Sequence, residues 1–147
     1  MREVPDWQTL QTVAFGDTPD AATRLAALTV GGVKTATCSA ASHGPVSAVG
    51  EFQVCLNGDG KPVAIIETLS IERLPFSAVT ADMAVKEGEG DLSLDSWRSA
   101  YEAYFRREGS WAPDMNVIFE TFTLVDILDL HFAAEAKLHV DAERRGA

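Results

Sequence analysis

A tight turn at residues 57–60 constrains the fold of this 147-residue chain more than any other feature of its sequence. The turn reads Asn-Gly-Asp-Gly, and these residue types accept the positive φ angles of short β-hairpin connections. Apolar and β-branched residues fill the segments on both sides, at 52–56 and 62–74. The pattern therefore predicts an antiparallel hairpin, whose second strand is long enough to bend or to carry a β-bulge.

Two helices carry clear signals at their ends or along one face. Thr18 is suited to cap the first helix, Pro19 fits its first helical position, and the pair Gly31-Gly32 ends it. Apolar and aromatic residues recur at helical spacing over 94–108, which predicts an amphipathic helix there. Both helices flank the hairpin in sequence, one before it and one after it.

The remaining segments complete an α+β pattern. Trp7, Leu10 and Val13 are spaced as in a short helix. The other predicted elements are a strand, or a loop entering one, at 34–39, a polar loop at 40–49, a short helix at 77–86, a strand at 117–128 and a helix from about 130 to 144 capped by Asp129. This order predicts an α+β fold with a curved or closed antiparallel sheet flanked by helices. No G-x-G-x-x-G or Walker motif indicates a dinucleotide- or nucleoside-triphosphate-binding fold.

Composition and charge narrow the class of partner. A chain of 147 residues fits one domain, and we expect residues 1–147 to form it. Its 12 basic and 22 acidic residues give a net charge of −10, so it is not expected to coat DNA, although a local basic patch remains possible. No apolar run is long enough to span a bilayer and no signal-peptide pattern is present, so we expect a cytoplasmic protein without a membrane partner.

Cysteine and histidine residues give no sign of a metal site. Cys38 and Cys55 lack paired C-x-x-C spacing, and in a reducing compartment we expect buried thiols. The histidines are scattered, and no zinc motif appears. The sequence predicts no metal and no cofactor, and it does not predict the oligomeric state.

Lys34 and the hydroxyl residues after it form the first candidate site. A lysine beside hydroxyl groups can bind an oxyanion or, if desolvated, act as a base or nucleophile. Thr37 and Ser39 share one face of a regular strand and Lys34 lies on the other, so Lys34 and Thr37 can meet only if the chain bulges or turns between them. The alternatives are an exposed lysine at a strand start and ordinary strand polarity.

Two glutamates fall at apolar positions of predicted strands. A regular strand places Glu67 on the same face as four apolar residues, Val63, Ile65, Leu69 and Ile71. A lone buried carboxylate is costly, so Glu67 is expected to be paired, protonated or in a polar cavity, unless a bulge rotates it into solvent. Glu120 poses the same question more weakly.

The acidic loop at 87–91 is the third candidate. Glu87, Glu89 and Asp91 place three carboxylates within five residues. Like charges raise one another's pKa, which suits general acid–base work. The alternative is a solvated loop in which Asp91 or Ser93 caps the next helix.

Two tryptophans complete the set of candidates. Trp97 lies on the apolar face of the 94–108 helix, which indicates a core position. Trp111 lies in a predicted loop, where it either stacks on a base or anchors the loop.

Taken together, these segments resemble the ASCH-domain family over about residues 13–127. The resembling segments are FGDTP at 15–19, GVKTATCS at 32–39, PVAIIET at 62–68, EGEGDLSL at 87–94 and FETF at 119–122. The resemblance implies a PUA-like fold, a small antiparallel β-barrel flanked by helices, with a cleft near the GVKTATCS segment. The C-terminal helix lies outside the pattern.

The resemblance also implies a function related to RNA. Some members of the family resemble ribonucleases for single strands, and short members hydrolyse the acetyl amide of N4-acetylcytidine. Carried over to this chain, the catalytic set of that amidohydrolase branch is Lys34, Thr37 and Glu87. Glu89 is an alternative to Glu87, because the acidic loop is longer here than in the short members.

The resulting hypothesis is a hydrolase acting on single-stranded RNA or a modified nucleoside. Thr37 is the nucleophile or orients water, Lys34 lowers its pKa or stabilises the oxyanion, and Glu87 or Glu89 moves the proton. The expected substrate-binding residues are Ser39, Glu67, Glu89, Asp91 and Trp111. The alternatives are a non-catalytic module that binds RNA or a nucleoside in the same cleft, and a structural domain in which Lys34 is exposed and unpaired.

Overall fold

A computed structural model describes residues 6–146 of the chain. Within these residues, five strands and four α-helices make up the fold. The strands are β1 (Gln11–Val13), β2 (Ala36–Ala40), β3 (Phe52–Leu56), β4 (Pro62–Pro75) and β5 (Asn116–Ile127). The helices are α1 (Pro19–Val30), α2 (Ala81–Glu87), α3 (Leu94–Glu108) and α4 (Leu130–Arg145). Within this described part, no helix is long and apolar enough to cross a membrane.

The five strands form one mixed sheet in the order β1-β3-β4-β5-β2. The predicted hairpin is present as β3 and β4, and Asn57 closes its turn by accepting hydrogen bonds from the Asp59 and Lys61 amides at 2.9 and 3.0 Å. The α+β class is confirmed. A barrel describes it only loosely, because β1 pairs in parallel with β3 and, among residues 6–146, β1 and β2 remain the two edges.

The short helix predicted around Trp7, Leu10 and Val13 is wrong. The chain forms one 3₁₀ turn at Trp7–Thr9, whose start is capped by Asp6, and then enters β1. The register of β1 aligns Val13 with Cys55 on β3. Pairing with a strand that is distant in sequence therefore overrides the local helical spacing.

The long helices begin and end where their sequence signals predict. Thr18 accepts a hydrogen bond from the Ala21 amide at 3.1 Å at the start of α1, and Pro19 is its first residue. Ser93 caps α3, which ends at Gly109. Asp129 caps α4 through the Phe132 amide at 3.0 Å. These caps satisfy amide groups that have no partner within their own helix.

Two apolar clusters form the core of the part of the chain that the structure describes. One contains Leu28 of α1 with Ile66 and Phe122 of the sheet, and part of α4 packs against it. The other contains aromatic residues of α3 and neighbouring segments, and it includes Ala36 of β2. Val33 packs against the first cluster. Lys34 therefore lies where the chain passes from one cluster to the other.

A bulge in β4 lies two residues after Glu67. Thr68 pairs with Phe122 and Ser70 pairs with Thr121, so Leu69 has no partner in this register and is 53% exposed. The regular alternation that places Leu69 and Glu67 on one apolar face is therefore interrupted. Glu67 is half-buried and pairs with strands on both sides.

Candidate active site

Lys34 is buried, with 1% of its surface exposed, and its ammonium group is held by three acceptors. Its Nζ donates to the Ala36 carbonyl at 2.8 Å, to Glu87 Oε1 at 2.9 Å and to Glu89 Oε2 at 3.3 Å. The Phe15 ring lies 5.2 Å from Nζ, within range of a cation–π interaction. These three acceptors match the three N–H groups of an ammonium ion. The exposed, unpaired lysine expected of a purely structural domain is not found.

Glu87 is the last residue of α2, is fully buried and contacts Lys34. Tyr101 donates to its Oε1 at 2.8 Å, and the Trp97 indole donates to its Oε2 at 3.3 Å. Trp97 is a core residue, as predicted, and its N–H group also has a polar partner. Three contacts therefore hold this carboxylate in place, counting the ion pair with Lys34.

Burial and charge determine the protonation of this cluster. Burial disfavours the charge of Lys34, but the attraction of Glu87 and Glu89 raises its pKa. Burial raises the pKa of Glu87, an effect that Lys34 opposes. Burial and the nearby Glu87 hold the pKa of Tyr101 well above its usual value, so Tyr101 remains a hydrogen-bond donor at neutral pH. Lys34 is therefore a fixed positive charge, suited to stabilising an anion rather than to acting as a base.

A cavity of about 350 Å³ lies against this cluster. Lys34, Thr37, Ser39 and Glu89 all line it. β2 begins only at Ala36, so the alternation of strand side chains does not extend back to Lys34, and Lys34 and Thr37 both line the cavity. The volume lies at the lower end of the range for small-molecule sites.

The hydroxyl groups and the thiol of β2 differ in their availability. Ser39 lines the cavity, and its Oγ is buried and has no hydrogen-bond partner among the described residues. Cys38 also lines the cavity, but burial and the nearby Glu87 raise the pKa of its thiol well above the usual value. Because the thiolate is the reactive form, Cys38 is a poor nucleophile beside Thr37. Burial raises the pKa of Cys55 to about 12.

Three of the predicted substrate-binding residues are not among those that line the cavity: Glu67, Asp91 and Trp111. Asp91 is exposed and accepts a hydrogen bond from the Ser93 amide at 2.9 Å, just before the α3 cap. Trp111 packs edge-on against Phe76, with ring centroids 5.0 Å apart. Trp111 therefore anchors its loop to the core, the second of its two sequence interpretations.

Several cavity residues carried no strong sequence signal. Arg24 lies on α1, and Tyr101 lies on the apolar face of α3, where its spacing matches that of core residues. Arg107 and Asp17 also line the cavity and form a two-point ion pair at 2.8 and 3.3 Å. Helical spacing predicts which face is buried, but it does not distinguish a core position from a cavity wall.

Glu120 is a buried carboxylate whose function is to hold a loop. It accepts hydrogen bonds from the Val46 amide at 2.8 Å, the Ser47 amide at 3.0 Å and the Ser47 hydroxyl at 2.8 Å. Val46 lines the cavity. The polar loop between β2 and β3 is thereby fixed as part of the cavity wall.

In residues 6–146 no cluster of His, Cys, Asp and Glu side chains is arranged to hold a metal ion.

The fold and the site define a class of protein: an α+β domain with a buried lysine–carboxylate cluster at the wall of a small cavity. Residues 11–126 match the family model of the ASCH domain. The chain is 35% identical to the ASCH domain from Lactobacillus crispatus JV V101, whose crystal structure superposes with a TM-score of 0.74 over 79% of each chain. It is 29% identical to protein EF3133 from Enterococcus faecalis V583, with a TM-score of 0.72 over 86% of this chain and 80% of that one.

This chain therefore belongs to the ASCH-domain family, which is in general related to RNA, and its fold is PUA-like. A comparison with curated proteins gave no match.

Proposed function

We propose that this protein is an amidohydrolase that removes an acyl group from a modified nucleoside, with N4-acylated cytidine as the substrate class. The observation that carries the proposal is the meeting of Lys34, Glu89 and Thr37 at one cavity, with Lys34 held as a cation by two carboxylates. A fixed cation, a carboxylate and a hydroxyl group are the parts that acyl transfer needs. We choose a nucleoside as the substrate class because the ASCH-domain family is in general related to RNA.

The size and charge of the site favour a single nucleoside over long RNA. A cavity of about 350 Å³ is suited to a ligand of nucleoside size. The net charge of −10 opposes the tight binding of a long phosphate chain, because such binding depends on releasing counterions to a basic surface. An uncharged nucleoside does not meet this repulsion.

In the first step Thr37 Oγ1 attacks the carbonyl carbon of the acyl group. The Thr37 proton passes to Glu89, a C–O bond forms, and the carbonyl electron pair moves onto the oxygen. Lys34 stabilises this oxyanion. Its contact with Glu89 is the longest of its three, at 3.3 Å, and weakens as Glu89 becomes neutral, which frees one N–H group for the oxyanion.

In the second step the carbonyl re-forms and the bond from carbon to N4 breaks. Glu89 gives its proton to N4, and cytidine leaves. Water then attacks the acyl-threonine and gives a proton to Glu89, which returns it to Thr37 as the carboxylic acid departs. We assign proton transfer to Glu89 because it lines the cavity, and the holding of Lys34 to Glu87 because it is fully buried.

A binding module is the second candidate, favoured by one observation. Every N–H group of Lys34 already has an acceptor within the protein, as expected where the lysine only shapes a pocket. In that case a nucleoside binds in the same cavity and leaves unchanged.

Mass spectrometry of incubated substrates distinguishes these functions. The purified protein is incubated with N4-acylated cytidines and, separately, with a short single-stranded RNA. We expect cytidine and the free carboxylic acid from the first, and no product from the isosteric variant Thr37→Val. Cleaved RNA, together with binding that weakens steeply with salt, would identify a ribonuclease instead. Saturable binding of nucleoside without product would identify a binding module and contradict the catalytic roles.

A further inference from the structure

A side chain in the last turn of α4 donates hydrogen bonds to the backbone on both sides of Glu89. Arg144 Nη1 donates to the carbonyl oxygens of Gly88 and Gly90, each at 2.8 Å. Both glycines adopt left-handed backbone angles, with φ of 75° and 60°. A segment with two such glycines has many conformations available when it is unrestrained, so the two hydrogen bonds select one of them.

A second chain of contacts reaches the Glu89 side chain from the same helix turn. Glu143 Oε2 accepts from the Gly90 amide at 2.7 Å and from Arg24 Nη1 at 2.7 Å. Arg24 Nη1 in turn lies 3.8 Å from Glu89 Oε1. Glu143 thereby holds the arginine that lies near Glu89 Oε1, whereas Lys34 contacts Oε2 of the same carboxylate.

The rest of α4 is anchored independently of these polar contacts. Ala136 belongs to the apolar cluster beneath the helix, and Phe132 and Val140 pack against that cluster. Removal of the charged contacts therefore leaves the packing that holds the helix in place. This allows a positioning role to be separated from a purely structural one.

We propose that Arg144 and Glu143 are positioning residues for Glu89, so that α4 completes the active site. The helix lies outside residues 11–126, which match the family model, so this contribution comes from a part of the chain beyond the matched residues. The inference rests on the proposed function, because it takes Glu89 as the group that moves the proton. Misplacing such a group by about 1 Å can lower the rate about 10²-fold.

The test compares Arg144→Met with two matched variants in the full chain. Arg145→Met removes the same charge from the exposed neighbouring position, and Arg144→Lys retains a cation that can donate to the two carbonyls. With N4-acylated cytidine as the probe, we expect Arg144→Met to lower kcat about 10²-fold, with KM and melting temperature little changed. Arg145→Met should behave as wild type, and Arg144→Lys should recover part of kcat.

Amide hydrogen exchange gives a readout that does not depend on turnover. The Gly90 amide, bonded to Glu143, should exchange faster in Arg144→Met than in Arg145→Met. A wild-type kcat in Arg144→Met, or equal losses in both variants, would overturn the inference. If the wild type turns over no substrate, the proposed function fails. Faster Gly90 exchange in Arg144→Met alone would then support the positioning of the loop, and unchanged exchange would refute it.

Discussion

Lys34 and Glu87 are a fully buried ion pair, an arrangement that is costly to form. Removing two charges from water costs several kcal/mol per ion, and good geometry with further hydrogen bonds is needed to offset it. The additional bonds from Tyr101 and Trp97 to Glu87 meet that need. A chain with an ample apolar core gains little stability from such a pair, which is consistent with a role for it in the cavity chemistry.

The raised pKa of Glu87 predicts a pH-dependent contribution to stability. Burial raises this pKa above its ordinary value of 4.5, so the folded state binds the proton more tightly than the unfolded state. The contribution is complete below pH 4.5 and is lost as pH rises through the folded-state pKa. We therefore expect the unfolding free energy of wild type, relative to Glu87→Gln, to fall over this pH range. Urea unfolding at several pH values measures it.

The same measurement on Glu72→Gln, at an exposed position on β4, is the control for the loss of a carboxylate. A wild-type stability that rises with pH relative to Glu87→Gln would contradict the account. That result would mean that the attraction of Lys34 outweighs burial.

At the scale of elements, the end of α2 and the end of α3 offer a matched comparison. Both helices end at a glycine with a left-handed backbone angle, Gly88 at 75° and Gly109 at 85°. A Cβ at Gly88 would lie 2.5 Å from the Val33 carbonyl oxygen and 2.9 Å from the Lys34 amide, whereas a Cβ at Gly109 meets nothing within 4 Å. Close backbone packing against the lysine segment thus adds to the conformational requirement at Gly88.

We expect Gly109→Ala to cost about 1 kcal/mol, the strain of an alanine in this conformation. Gly88→Ala should cost clearly more, because backbone rather than a flexible side chain must move. Chemical denaturation of the two variants compares these costs. Equal losses of unfolding free energy would show that the contact with Val33 adds nothing.

The loop that follows β2 depends on Glu120. Glu120→Gln replaces one carboxylate oxygen by a donor, so one of its three bonds to Val46 and Ser47 is lost. We expect a loss of about 1–3 kcal/mol in unfolding free energy and faster amide exchange at 46–47. The exposed Glu72→Gln is again the control. Unchanged exchange at the two amides would contradict the assigned role of Glu120.

Elements with signals at both ends could be predicted from the sequence, and those set by distant contacts could not. The 57–60 turn, α1 and α3 follow from capping and spacing, which act locally. β1 depends on pairing with β3, and the exposure of Leu69 depends on the β4–β5 register. Neither interaction leaves a pattern in neighbouring residues. The local spacing around Trp7 favoured a helix for the same reason.

The sequence identified the residues at the centre of the candidate site, but not the residues that hold them in place. Lys34, Thr37 and the acidic loop were identified by residue type and by resemblance to a family. The sequence could not assign different roles to Glu87 and Glu89, because both lie in one short segment. The structure distinguishes them, since of the two only Glu89 lines the cavity. The contacts of α4 with the acidic loop join positions more than fifty residues apart, beyond the reach of any sequence pattern.

At the scale of the whole molecule, charge and cavity point to the same kind of ligand. The net charge of −10 opposes long nucleic acids, and the cavity of about 350 Å³ is suited to one nucleoside. The acidic groups at the cavity are compensated within the protein, with Glu89 between Lys34 and Arg24 and Asp17 paired with Arg107. An uncharged substrate enters such a site without disturbing these pairs.

The central claim is that Glu89 moves the proton in a hydrolytic reaction, and turnover of N4-acylated cytidine by two variants tests it most directly. Glu89→Gln and Asp91→Asn make the same chemical change in one loop, but only Glu89 lines the cavity and contacts Lys34. The account predicts a kcat about 10²–10⁴-fold lower for Glu89→Gln and a wild-type kcat for Asp91→Asn, at equal melting temperatures. Equal activity of the two variants, or a wild type that releases no cytidine, would contradict it.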